Sequence, residues 1–162
     1  MAEPLRAHVA APLLAGGRIL VVEARYYETI GAMLLEGAEA AIAVSGATME
    51  TIGVPGALEI PAAIAIALDA AEATGRTYDG AVALGCVVRG ETFHFEIVAG
   101  ESARALMDLS VAGRVALGNG ILTVDTLAQA EERADPKRGD KGGDAARAAL
   151  ALAALKRKLD VS

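Results

Sequence analysis

The chain has 162 residues, a formal net charge of −6 and 54% apolar residues, with only three Tyr and two Phe as aromatics. That length suits one domain with a real core, while the negative charge and scarcity of rings exclude a polyanion-attracting surface or a single-strand stacking platform. One cysteine and two histidines exclude an intrachain disulfide and an ordinary zinc site.

In chain order, RILVVE (residues 18–23) is a branched apolar run that reads as a buried strand. Ile30, Met33, Leu34, Ala38, Ala41 and Ile42 then recur at helical spacing. Residues 49–54 form a weaker strand candidate, stopped by Pro55-Gly56. Residues 58–73, rich in Ala and Ile, are long enough for a helix, with Pro61 placed in its first turn. AVALGCVV (81–88) is the clearest strand, 97–112 the helix after it, and 115–122 a fourth strand. Thr126 and Gln129 have the spacing of a capping box that opens a short helix to Arg133. The polar stretch ADPKRGDKGGD separates this from a last helix. Leu152, Leu155 and Leu159 share one face of that helix, and Lys156, Arg157 and Lys158 lie in its final turns, where cations suit the helix dipole.

Strands alternating with helices predict a parallel sheet with helices on both faces, one α/β sandwich rather than two domains. The longest uncharged stretches, such as 60–68, are too short to span a bilayer. Gly16, Gly17 and Arg18 interrupt any secretory apolar region. A cytoplasmic protein is the expectation.

In open α/β sheets, ligands bind beyond the carboxyl ends of the strands. Four segments are expected there: Arg25-Tyr26-Tyr27, VPGALE (54–59), RGETFH (89–94) and residues 119–123. In RGETFH, Gly90 permits a tight turn, and the free N–H groups of the following helix with Thr92 can hold a phosphate. The plainer alternative is an ordinary strand-to-helix turn capped by Thr92. His94 either exchanges protons near neutral pH or is a structural histidine bonded to a carbonyl. Tyr26 is either a stacking ring or part of the core edge. Glu59 either accepts bonds from ligand hydroxyls or is a surface carboxylate in a first turn. Arg133, Lys137 and Lys141 are either a phosphate cluster or a solvated basic loop.

Read together, ARYYE, VPGALEIPAA, LGCVVRGETFHFE, NGILTVDTLAQAEERA and KGGDAA resemble the lumazine synthase family, in order and over nearly the whole chain from Arg18. The resemblance implies a flavodoxin-like three-layer sandwich with a four-stranded parallel sheet. It implies condensation of 5-amino-6-(D-ribitylamino)uracil with 3,4-dihydroxy-2-butanone 4-phosphate, without metal or organic cofactor. By residue it implies Tyr26 as the stacking ring and Ala57, Leu58 and Glu59 on the ribityl chain. Cys86, Val87 and Val88 contact the pyrimidine by strand-end backbone, Glu91 and Thr92 form the phosphate turn, and His94 transfers protons. Asn119 and Arg133 come from the adjacent subunit, Arg133 holding the phosphate with Lys141 nearby. Tyr26 stands where Phe or Trp is frequent, and Leu58 and Asn119 where some members have Phe, which leaves Tyr26 as the main ring. A homopentamer with shared sites is implied, with residues 1–17 as an arm on a neighbour and packing of rings into a larger shell left open. The alternatives are a related riboflavin synthase and a non-catalytic flavin-binding or shell-forming member of the same fold.

Overall fold

In β1 (Arg18–Ala24), Ile19 and Val21 join one side of the sheet while Leu20 and Val22 join the other, all four fully buried. A strand covered on both faces must be apolar at successive positions, which is why RILVVE does not alternate. The computed structural model describes residues 12–159. After β1 come α1 (Glu28–Ser45), β2 (Thr48–Val54), a single 3-10 turn (Ala57–Glu59), α2 (Ile60–Ala73) and β3 (Gly80–Val88). There follow α3 (His94–Ala112), β4 (Leu117–Val124), α4 (Leu127–Ala134) and α5 (Lys141–Lys158).

All strand pairs are parallel, in the order β2-β1-β3-β4. This is the flavodoxin-like order short of its last strand. Leu34 and Ile42 of α1, Ala130 of α4 and Leu150 of α5 cover Ile19, Val21, Val82 and Leu84 on one face. Ile60 and Ile64 of α2 and Val98 and Leu106 of α3 cover Leu20, Val22, Ala81 and Ala83 on the other. The result is the expected three-layer α/β sandwich. Because α1 and α2 run over opposite faces, the carboxyl ends of β1 and β3 flank the topological switch point, where such sheets take their ligands.

Several boundaries differ from the sequence expectation, each for a local reason. The polar stretch expected to reach Asp144 ends at Asp140, and KGGD is the first turn of α5. Gly142 makes this start feasible, since a Cβ there would collide with the carbonyl of Leu34 in α1. Asp140 turns the chain at φ 48°, and Arg147 donates to its carboxylate at 2.8 Å and to that of Asp144 at 2.9 Å. Helix α3 begins at His94 rather than Ile97. The 3-10 turn precedes α2, with Pro61 in the first turn of α2 as expected. The Thr126–Gln129 capping box is present, Thr126 Oγ1 accepting from Gln129 N at 3.2 Å and Gln129 Oε1 from Thr126 N at 3.3 Å.

Leu152, Leu155 and Leu159 are exposed; α5 packs through Ala145, Ala146, Ala149, Leu150 and Ala153. Of the expected arm, residues 1–11 lie outside the described residues. Leu14 is fully buried in this chain's own core and donates to Ser45 O at 2.8 Å, and Gly17 O accepts from Thr48 N at 2.8 Å. Leu14 and Gly17 are therefore held by the chain's own fold. Among the described residues, no helix is long and apolar enough to cross a membrane.

Candidate active site

A cavity of about 460 Å³ opens at the switch point. Each wall comes from the end of a different strand. After β1 the chain supplies Tyr26 and Tyr27; after β2 it supplies Pro55, Gly56, Ala57, Leu58 and Glu59. The last three residues of β3, Cys86, Val87 and Val88, form the floor with Val98 of α3, and His94 stands at the rim as the first residue of α3. Parallel pairing of β1 with both β2 and β3 brings these ends together. Three of the four segments expected at the carboxyl edge thus meet in one place.

Tyr26 is 75% exposed, an unusual state for a ring unless something else covers it. Its plane is set by Tyr27, whose ring meets it edge-on at 5.1 Å and 74°, a favourable aromatic geometry. Tyr26 is therefore not a lone aromatic. Burial raises the Tyr27 hydroxyl above the ordinary phenol range, with the nearby Cys86 adding to the shift. Tyr27 and Val98 both line the cavity without having been picked out as contacts. The signals were adjacency to Tyr26 in one case and an i+4 step from His94 in the other.

Burial pushes the Cys86 thiol up to about 11. A raised value keeps the thiol protonated at neutral pH, and the thiolate is the reactive form. Alkylation of native Cys86 at pH 8 is therefore expected to be roughly 100-fold slower than in the unfolded chain. Equal rates in native and denaturing buffer would contradict the buried, inert thiol.

Glu91 and Thr92 sit exposed in the five-residue connection between β3 and α3. Thr92 does not cap α3, whose first turn has no side-chain cap among the described residues, so its N–H groups remain available. Gly90, expected to relieve a tight turn, is not in the left-handed region, and a Cβ there would meet nothing within 4 Å.

Asn119, Arg133 and Lys141 are not in this cavity. They line a second one of about 370 Å³ with Ile121 and Thr123, and the two share no described lining residue. Asn119 does not leave a strand end: it lies inside β4, opposite Ala83, because pairing with β3 continues to Val124. Its side chain accepts from Ile121 N at 2.9 Å on the exposed face of the strand. Arg133 is half-buried and donates to Gln129 O at 3.1 Å. Among the described residues no carboxylate pairs with it, whereas Arg18, Arg25, Arg89, Arg104, Arg138 and Arg147 are all ion-paired. A guanidinium withdrawn from solvent with spare planar donors suits a bidentate anion. Lys141 lies 3.9 Å from Asp144.

The family model described as 6,7-dimethyl-8-ribityllumazine synthase matches residues 16–157. A 6,7-dimethyl-8-ribityllumazine synthase of Methylocella silvestris is 69% identical over 144 residues, covering 89% of this chain and 88% of that protein. A protein named 6,7-dimethyl-8-ribityllumazine synthase 1 from Rhodopseudomonas palustris strain CGA009 is 64% identical, with 90% of each chain covered. Another from Rhodopseudomonas palustris strain BisA53 is 60% identical over 160 residues, 98% of each. With the strand order, the switch-point cavity and a match along nearly the whole fold, the chain belongs to the 6,7-dimethyl-8-ribityllumazine synthase family.

Proposed function

We propose that this chain is a working transferase of riboflavin biosynthesis, joining 5-amino-6-(D-ribitylamino)uracil to 3,4-dihydroxy-2-butanone 4-phosphate at a site shared by two copies. The observation that carries this reading is that Tyr26, Glu59, Cys86 and His94 line one cavity while Asn119, Arg133 and Lys141 line a separate one, with no described carboxylate paired to the half-buried Arg133. In a head-to-tail ring, the first cavity of one copy meets the second cavity of the next. A homopentamer closes such a ring. The exposed β4 face around Asn119 and Thr123, exposed Phe93 just before α3, and exposed Met107 and Val111 along α3 suit burial against neighbours. Cytoplasmic placement follows from the pathway's substrates.

In the first cavity Tyr26 stacks on the pyrimidine, the Cys86–Val88 backbone meets its edge, and Ala57, Leu58 and Glu59 take the ribityl chain. The turn at Glu91 and Thr92 offers N–H groups to the phosphate, with Glu91's side chain turned away, while Arg133 and Lys141 of the adjacent copy complete the anion site. The primary amine attacks the butanone carbonyl and loses water to give an imine. Phosphate leaves by elimination, the enol tautomerises, and the ribitylamino nitrogen closes the ring with loss of a second water. His94 moves protons at each stage. Arg133 and the turn take up the charge of the leaving phosphate. Holding the two substrates together contributes much of the acceleration. No step calls for a metal, so purified protein in excess chelator is expected to form lumazine, read by its absorbance. Substrate binding without product, or turnover abolished by chelator, would refute the reading.

Arg133→Ala is expected to raise the apparent KM for the butanone phosphate roughly ten- to hundred-fold, the range for a hydrogen bond to a charged group. Arg133→Lys should recover only part of this, because lysine lacks the planar fork. The KM for the uracil should stay near wild type in both variants. An unchanged KM for the phosphate substrate would remove Arg133 from the anion site.

A further inference from the structure

Five residues, 89–93, join the end of β3 to His94, and no side-chain cap holds the start of α3 among the described residues. What fixes this connection is Arg89. Its N–H donates to Val124 O at 2.8 Å, carrying the β3–β4 ladder one residue past the strand. Its Nε donates to Asp125 Oδ1 at 2.8 Å and its Nη1 to Glu96 Oε1 at 2.6 Å. Its guanidinium carbon lies 4.3 Å from the centre of the Phe95 ring. One planar cation therefore grips the end of β4 and the two residues that follow His94.

The grip comes from a different cavity, one that Gln129 and Arg133 also line. Arg89, Phe95 and Asp125 line a cavity of about 440 Å³ that His94 does not line, while His94 lines the switch-point cavity that Arg89 does not. We infer that Arg89 is a positioning residue: by clamping Phe95 and Glu96 to the end of β4, it fixes the direction in which His94 is presented to the substrates. A lysine cannot replace it, because a point charge on a flexible stem cannot bond two carboxylates in one plane and stack on a ring together. Arg89, Glu96 and Asp125 are all substantially exposed, so the pairs add little to global stability. Their effect is expected in catalytic geometry, where small misplacements of a reacting group cost rate.

The inference rests on the proton-transfer role proposed for His94, and a double-mutant cycle on kcat separates the two. Arg89→Gln is expected to lower kcat about ten-fold, with the KM for the uracil and the thermal midpoint unchanged. Arg89→Lys should fall between this and wild type, and Asp125→Asn, which removes one leg of the clamp, should show a smaller loss of the same kind. In a His94→Ala background, Arg89→Gln should cost almost nothing more. Equal fold losses in both backgrounds, or no loss from Arg89→Gln, would overturn the positioning role. A His94→Ala enzyme with wild-type kcat would instead sink the histidine assignment itself, and this inference with it.

Discussion

His94→Ala is expected to lower kcat by about 10²-fold, the low end of the range for general acid–base groups, while both KM values change little. The low end follows from the chemistry, because an aromatic amine and a ketone react without strong activation and the positioning groups are untouched. His94 is the first residue of α3 and lines the cavity with Cys86 and Glu59, the remaining titratable lining being Tyr26 and Tyr27. The Cys86 thiol and the Tyr27 hydroxyl ordinarily titrate above neutral pH and burial raises both further, so neither replaces a base that works there. Single-turnover rates with both substrates saturating would measure the effect. A rate within two-fold of wild type would show that water carries the protons.

Gly142→Ala is expected to destabilise the fold by about 3 kcal/mol, the upper part of the usual overpacking range. The α1–α5 contact is built on this residue, where the α5 backbone meets the carbonyl of Leu34 too closely to admit a methyl. Relief requires α5 to move, and with it Ala145, Ala146, Ala149 and Leu150, all buried against the sheet. That movement outweighs the helix propensity alanine would add, which is about 1 kcal/mol. Thermal unfolding should show a midpoint lowered by roughly 6–12 °C for a chain of this size. Gly90→Ala, in open space with an ordinary backbone, is the control, expected to shift stability by less than about 0.5 kcal/mol. Equal midpoints for the two variants would contradict the close-packed reading of α5.

Much of this fold was legible because strand and helix signals were strong where burial is two-sided. RILVVE and AVALGCVV became β1 and β3, the central strands, and the capping box of α4 was readable from Thr126 and Gln129 alone. Failures fell where a tertiary contact overrode local chemistry. KGGD looks like a loop because two glycines disfavour helix, yet the approach of Leu34 demands a small residue inside α5. Phe93, His94, Phe95 and Glu96 carry no capping signal, and the contacts of Arg89 with Phe95 and Glu96 in the first turn of α3 are visible only in the structure. Motif and strand order were sufficient to group Tyr26, Glu59, Cys86 and His94. The family resemblance alone assigned Asn119 and Arg133 to an adjacent copy; the strand reading put Asn119 at the carboxyl edge, whereas pairing with β3 on to Val124 keeps it inside β4. Tyr27 was placed at the same strand end but given no role, because a second ring beside the first has value only once their mutual angle is known.

Joint unfolding and reassembly of equal amounts of His94→Ala and Arg133→Ala chains tests the shared site most directly. The assay uses the butanone phosphate well below its KM, where each parent is nearly inactive. Random mixing leaves each half of an interface intact with even odds, so about a quarter of the sites should regain both wild-type halves. Activity should return to roughly that fraction of wild type, with mass measurement confirming mixed rings. Mixed rings whose activity remains the sum of the parents would place His94 and Arg133 at a site within one chain, and the division between two copies would be wrong.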